Sequence, residues 1–143
     1  MKMLFVGRKI TLVIALATGI AMLPSVASAA PSYCDSGYAC YWKDAAYKSD
    51  GYGSHVVAFQ WYIGTFYSHY YDDYTIYHSD NTATSLWNNG NTFGTYWYDG
   101  SSFTGPSFYV PRARGDSYLG DSGITAPGGH NDKLSSACFT PYC

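Results

Sequence analysis

The chain has 143 residues, of which 47% are hydrophobic and 19% aromatic against only 13% charged, and its eight Lys and Arg face ten acids for a formal charge of −2. Every acid is Asp and the basic residues are scattered, which leaves no electrostatic footprint for nucleic acid. A chain of this length holds one domain with a modest core and is too short for a two-barrel hydrolase.

Residues 1–29 combine Lys2, Arg8 and Lys9 with an apolar run from Ile10 to Leu23 and an Ala27-Ser28-Ala29 cleavage pattern, the form of a secretory signal. The run falls short of the roughly 18 apolar residues that span a bilayer and is interrupted by Gly19 and Pro24. Cleavage there leaves residues 30–143 as a single extracellular domain, with no membrane attachment. Five basic residues then stand against ten acids, a net charge of −5, which favours metal ions or cationic surfaces as partners.

The four cysteines form two close pairs, "CDSGYAC" (Cys34, Cys40) and "CFTPYC" (Cys138, Cys143), and an even count in an exported chain points to disulfides. Both separations suit small local loops, with Gly37 and Pro141 supplying turn chemistry, so the pairs Cys34 with Cys40 and Cys138 with Cys143 are favoured over a stapling of the two termini.

No segment after Ala29 carries a sustained helical stripe. In chain order the strand-like runs are "YACYWKD", "HVVAFQWYIG", "TSLWNN", "GTYWYD", "PSFYVPR" and "SSACFT", rich in the aromatic and β-branched residues that suit a half-buried sheet. Short strands with frequent turns predict an antiparallel sandwich or barrel. "NNGN", Asn88 to Asn91, reads as a hairpin turn. Between the second and third runs lies the aromatic stretch from Ala58 to Tyr77. Its tyrosines from Tyr67 onward exceed what one sheet face can bury, which leaves some for a protein contact or for stacking on sugars.

Two patterns occur twice. "WKDAAYKS" sets Trp42 and Tyr47 five apart, and "YDGSSFTG" does the same with Tyr98 and Phe103, followed by Gly105; each describes a hairpin whose tip folds back onto the sheet beneath the first ring. The polar hexamers "DNTATS" (Asp80 to Ser85) and "NDKLSS" (Asn131 to Ser136) share one template: Asp or Asn twice, two free positions, Ser or Thr, then Ser. Each half therefore runs from an aromatic hairpin to a polar hexamer.

This pairing resembles the βγ-crystallin double Greek key. With "CDSGYACYWKDAAY", "TSLWNNGNT" and "NDKLSSA" in an exported chain, residues 34–143 look like the Streptomyces-type metalloproteinase inhibitors among bacterial peptidase inhibitors. The resemblance implies an all-β, βγ-crystallin-like double Greek-key sandwich. It also implies Ca²⁺ sites built from both halves, with Asp80, Asn81 and Thr84 from one hexamer and Asn131, Asp132 and Ser135 from the other. Such oxygen donors suit a hard cation, although each hexamer holds a single carboxylate, which places the affinity at the weak extracellular end. Ser85 and Ser136 would hold the loops by hydrogen bonds, and Asp44 and Asp99 near the hairpin tips are secondary oxygen donors.

Catalysis is not expected. "GDSG" at Gly120 to Gly123 resembles a serine-protease nucleophile loop but has no matching histidine setting, and the histidines have no zinc spacing. "RGD" at Arg114 to Asp116 reads as part of a Gly-rich loop from Val110 to His130, in which Arg112 and Arg114 are candidates to pair with acids lining a peptidase cleft. The function implied is that of a monomeric secreted inhibitor of peptidases, metallopeptidases first. A polysaccharide-binding module acting through its tyrosines, or a structural protein that binds only Ca²⁺, are the alternatives.

Overall fold

The structure, a computed structural model, describes residues 30–48, 56–71, 78–123 and 125–143; the signal segment, His55 and the tyrosines between 72 and 77 lie outside them. The described residues form eight short strands: β1 (Ala39–Trp42), β2 (Val56–Phe59), β3 (Tyr62–Ile63), β4 (Ser85–Asn88), β5 (Thr95–Gly100), β6 (Thr104–Val110), β7 (Arg114–Asp116) and β8 (Ser136–Phe139). They assemble into two antiparallel four-stranded sheets, β2-β1-β4-β7 and β3-β8-β5-β6. Each half thus lends its third strand to the other half's sheet: β3 pairs with β8, and β7 with β4. This is a pair of Greek keys interlocked by exchange, in agreement with the expected all-β architecture.

The run "HVVAFQWYIG" therefore makes two strands. β2 stays on the first sheet, the chain turns at Gln60 and Trp61, and β3 crosses to the second sheet, so one apolar run serves both layers. "NNGN" does not close a hairpin, because β4 and β5 belong to different sheets. The connection is held by buried Asn88, whose amide donates to the carbonyls of Phe93 (3.1 Å) and Val110 (3.2 Å) while its oxygen accepts from the Gly90 amide (2.9 Å). Gly90 lies against the Phe139 ring where a Cβ would collide, so glycine is used there for close approach. The stretch from Val110 to His130 is not one loop either, since its "RGD" forms edge strand β7 with the Asp116 side chain inward.

The inner faces of the sheets enclose one core, centred on Tyr41, Phe59, Phe66, Leu86, Trp97 and Val110. Tyr41 stacks on Phe66 at 4.3 Å and meets Trp97 edge-on at 6.0 Å. Its hydroxyl donates to Ser79 Oγ (2.6 Å), which donates in turn to the Phe66 carbonyl (3.2 Å), so this buried phenol is satisfied, as is the Trp97 indole, which donates to Thr95 Oγ1 (2.8 Å). A second cluster of Trp42, Val56 and Trp87 covers the outer face of the first sheet beneath the Cys34–Cys40 disulfide. The other disulfide joins Cys138 to Cys143, so both local pairings expected from the sequence are present.

Candidate functional site

The two hexamers meet at the end of the sandwich where β4 and β8 begin, and they are related by an approximate two-fold. Asn81 and Asp132, the second residue of each, both adopt φ +54°. Asp and Asn tolerate that left-handed conformation better than other side chains. The Asn81 amide donates to the Leu134 carbonyl and the Asp132 amide to the Ala83 carbonyl, each at 3.1 Å, so each hexamer is tied across to the other. The repeat extends outward in pairs: Thr84 N–H bonds Trp42 O as Ser135 N–H bonds Tyr98 O, and Leu119 N–H bonds Thr84 O as Phe66 N–H bonds Ser135 O.

The sixth-position serines bond to the aromatic hairpins and not within their own loops. Ser85 Oγ donates to the Asp44 carbonyl (2.7 Å) and accepts from the Tyr47 amide (3.2 Å). Ser136 Oγ donates to the Gly100 carbonyl (2.6 Å) and accepts from the Phe103 amide (3.0 Å). Each serine thus clamps the folded-back tip of its own aromatic hairpin, where Ala46 and Tyr47, and Ser102 and Phe103, are left-handed pairs. The first rings lie over these bends as the spacing predicts, with Trp42 to Tyr47 at 5.3 Å and Tyr98 to Phe103 at 5.8 Å.

The remaining hexamer oxygens form a small polar cluster shared by both halves. Asn81 Nδ2 donates to Asp80 Oδ2 (3.0 Å), Asn131 Nδ2 to Asp132 Oδ2 (2.6 Å), and Ser135 Oγ lies 3.4 Å from Asn81 Oδ1. Asp80 Oδ1 and Asn131 Oδ1 are buried with no hydrogen-bond partner. They occupy the same first position in the two hexamers, and a buried acceptor left without a donor is costly. Asp99 is engaged instead by His130, Nδ1 to Oδ1 at 2.7 Å, with His130 packed on Phe108; nothing in the residue spacing announces that pair. Asp44 contributes its backbone carbonyl to the Ser85 clamp.

Arg112 and Arg114 are exposed, Arg112 at the apex of a tight turn between β6 and β7. The turn is fixed by Ala113 at φ +55°, by its amide bonding the Asn88 carbonyl (2.9 Å) and by Arg112 reaching the Asn91 carbonyl (3.4 Å). Beyond β7 the chain folds around Asp116, whose carboxylate accepts from the amides of Tyr118 (3.0 Å) and Ala126 (3.1 Å). Of the aromatic stretch, Phe66 and Tyr71 are buried, Tyr71 bonding Thr82 Oγ1 (2.7 Å), whereas Tyr67 and Tyr70 are exposed. Tyr71 is therefore a core residue and not a contact for sugars.

Comparison with known proteins agrees with this geometry. The profile of peptidase inhibitor family I36, the Streptomyces metalloproteinase inhibitor family, matches residues 27–110. Two solved structures share the fold. One, a "beta gamma crystallin from Ciona Intestinalis", is 14% identical with a TM-score of 0.51, the match covering 72% of this chain and 99% of that one. The other, described under "Evolution of the eye lens beta-gamma-crystallin domain fold", is also 14% identical, with a TM-score of 0.55 and coverage of 78% and 90%. No curated protein matches the sequence.

Proposed function

The chain belongs to peptidase inhibitor family I36, and we propose that it is a secreted, non-catalytic inhibitor of an extracellular peptidase, specifically a metallopeptidase. The family match is the observation that carries this reading. The metallopeptidase target rests on the resemblance of its motifs to the Streptomyces-type inhibitors. Two disulfides in the described residues are in keeping with an extracellular setting.

The family match ends at Val110, so the contact is argued from geometry. Pro111, Arg112 and Ala113 form an exposed turn between two strands whose backbone is tied to the Asn88 carbonyl by the Ala113 amide, and such a turn enters a cleft with little ordering cost. Arg112 and Arg114 bring two of the five cations of the mature chain to that edge, where they pair with acids of a peptidase cleft. The mature protein titrated against a thermolysin-like enzyme should inhibit it stoichiometrically, and Arg112→Ala with Arg114→Ala should weaken inhibition about tenfold or more, as lost charge-assisted contacts do. Full inhibition by the double variant would move the contact elsewhere and leave the inhibitor reading standing.

The hexamers fit Ca²⁺. Their donors are all oxygen, and Asp80 Oδ1 and Asn131 Oδ1 are buried acceptors without donors. Asp80, Asn81 and Thr84 with Asn131, Asp132 and Ser135 would hold the ion, which would stabilise the fold by binding only its native form. Millimolar Ca²⁺ should raise the melting temperature of the protein, and Asp80→Ala with Asn131→Ala should abolish that rise. An unchanged melting temperature together with no calorimetric binding would reduce the hexamers to turn caps.

A further inference from the structure

At the opposite end of the sandwich, where β4 and β8 finish, a cavity of about 260 Å³ opens between the two halves. It is lined by the aromatic residues Trp61, Phe93, Phe139 and Tyr142 beside Gly37, Gln60, Asn91 and Thr92. Phe139 is buried, the other three rings are exposed, and Trp61 is 56% exposed although Trp42, Trp87 and Trp97 are each 3% or less. Trp61 and Tyr142 are held edge-to-face at 5.0 Å, and Asn91 is oriented by Ser36 Oγ bonding its side-chain oxygen (2.7 Å). No carboxylate or cationic side chain is among the lining residues, and the nearby Arg112 donates to the Asn91 backbone carbonyl (3.4 Å).

The lack of charge continues along the outer face of the second sheet. Tyr62, Cys138, Tyr96 and Tyr109 stand in one cross-strand row from β3 to β6, given by their register. The ring of Tyr109 occupies the space beside Gly94, next to Phe93, so this row begins at the cavity. Tyr98 and Phe103 extend it at ring distances of 6.3 Å and 5.8 Å, and Phe103 leads back to Tyr62 at 6.1 Å. Tyr62, Tyr96 and Tyr109 are exposed and Tyr98 and Phe103 half-buried, so the row presents aromatic rings without a charged side chain in a mature chain that carries five cations and ten carboxylates.

We propose that the cavity is a binding subsite for one pyranose ring of an uncharged β-linked glycan, and that the tyrosine track guides the rest of the chain. The polar residues on an otherwise mainly apolar wall favour a glycan over an apolar anchor from a protein. An aliphatic or aromatic side chain in the cavity would desolvate Gln60, Asn91 and Thr92 without giving them partners. A sugar ring presents C–H groups to Trp61 and Tyr142 and pairs of hydroxyls to the two amides. No lining side chain is charged, and the cation beside the wall, Arg112, is bonded to the Asn91 carbonyl, so the wall favours a neutral sugar over a uronic acid or a sulfated sugar. Tyr62 and Tyr96 lie two strand spacings apart, roughly 9.6 Å, close to the disaccharide repeat of an extended β-linked chain. The cavity meets the proposed inhibitory turn at the Arg112–Asn91 bond, but the glycan proposal does not rest on the inhibitor reading.

The test uses the full mature protein with cellohexaose and chitohexaose as neutral probes and polygalacturonate as the charged one. Since Trp61 is the exposed indole, a bound neutral hexasaccharide should shift its emission to the blue and protect it from acrylamide. By calorimetry Tyr142→Ala should bind about tenfold more weakly, Trp61→Ala should not bind, and Trp61→Phe should retain binding. Both positions are exposed, and an unchanged melting temperature would show that the variants fold. Silence of both neutral probes at millimolar concentration would overturn the proposal, as would equal binding of polygalacturonate. So would loss of peptidase inhibition in Trp61→Ala without any glycan binding, which would make the cavity a protein contact.

Discussion

Ser85 and Ser136 each satisfy one carbonyl and one amide at the tip of a folded-back hairpin, and both are fully buried. Replacing either by Ala should cost about 1–3 kcal/mol in urea unfolding, because two backbone groups lose their partner. The covering of each bend by its first aromatic was legible from the spacing, whereas the serines were expected to hold their own hexamer loops and are found instead on the hairpin tips. The orphaned oxygens of Asp80 and Asn131 were not legible, since burial depends on the opposing half of the molecule. Burial pushes the Tyr47 phenol up to about 12, assisted by the Asp116 charge, and raises Tyr41 and Tyr71 as well. A raised folded-state pKa means a proton held more tightly in the native protein, so this stabilisation is complete below pH ~10 and is lost as pH climbs through the folded values. Melting temperature should therefore be insensitive to these groups at neutral pH and fall progressively above pH ~10. Absorbance of phenolate should rise in two stages, the buried tyrosines ionising only with unfolding; a single stage with native circular dichroism retained would contradict it.

At the scale of elements, the exchanged strands β3 and β7 are the part that local sequence concealed. β3 has two residues and β7 has three, too few for periodicity to register, and their partners lie in the other half. "RGD" therefore read as a loop, whereas Gly115 is in fact packed against the Leu86 carbonyl and the Trp87 ring, with no room for a Cβ. Gly115→Ala should separate β7 from β4 and cost about 1–3 kcal/mol, as overpacking does; wild-type stability would mean that β7 pairing contributes little. The misread hairpin at "NNGN" has the same origin, because the buried Asn88 amide serves strands on both sheets and its role appears only once the sandwich is closed. The local disulfides were legible because they span five and six residues, and removing Cys138–Cys143 by paired Ser substitution should cost about 2 kcal/mol on loop-closure entropy.

At the scale of the molecule, the strand exchange makes the halves mutually dependent. A fragment ending at Gly90 would keep β1, β2 and β4 but leave β3 unpaired and β4 without β7, so it should remain unfolded alone and regain β-sheet circular dichroism when mixed with the fragment from Asn91 onward. The same interlocking sets the hexamers at one end and the aromatic cavity at the other, with the Arg112 turn on the edge of the first sheet. Fold and family were legible because paired motifs repeat along the chain; the contact surface was not, because inhibition is carried by exposed groups on which the fold imposes no pattern. Inhibition is tested most directly by titrating the mature protein into a fixed amount of a thermolysin-like metallopeptidase, with residual activity followed on a peptide substrate. Activity should fall linearly and reach its end at a stoichiometric amount of inhibitor, with the inhibitor chain intact and no peptidase activity of its own. Full residual activity at a large excess of the protein, or its steady digestion as a substrate, would contradict the inhibitor reading.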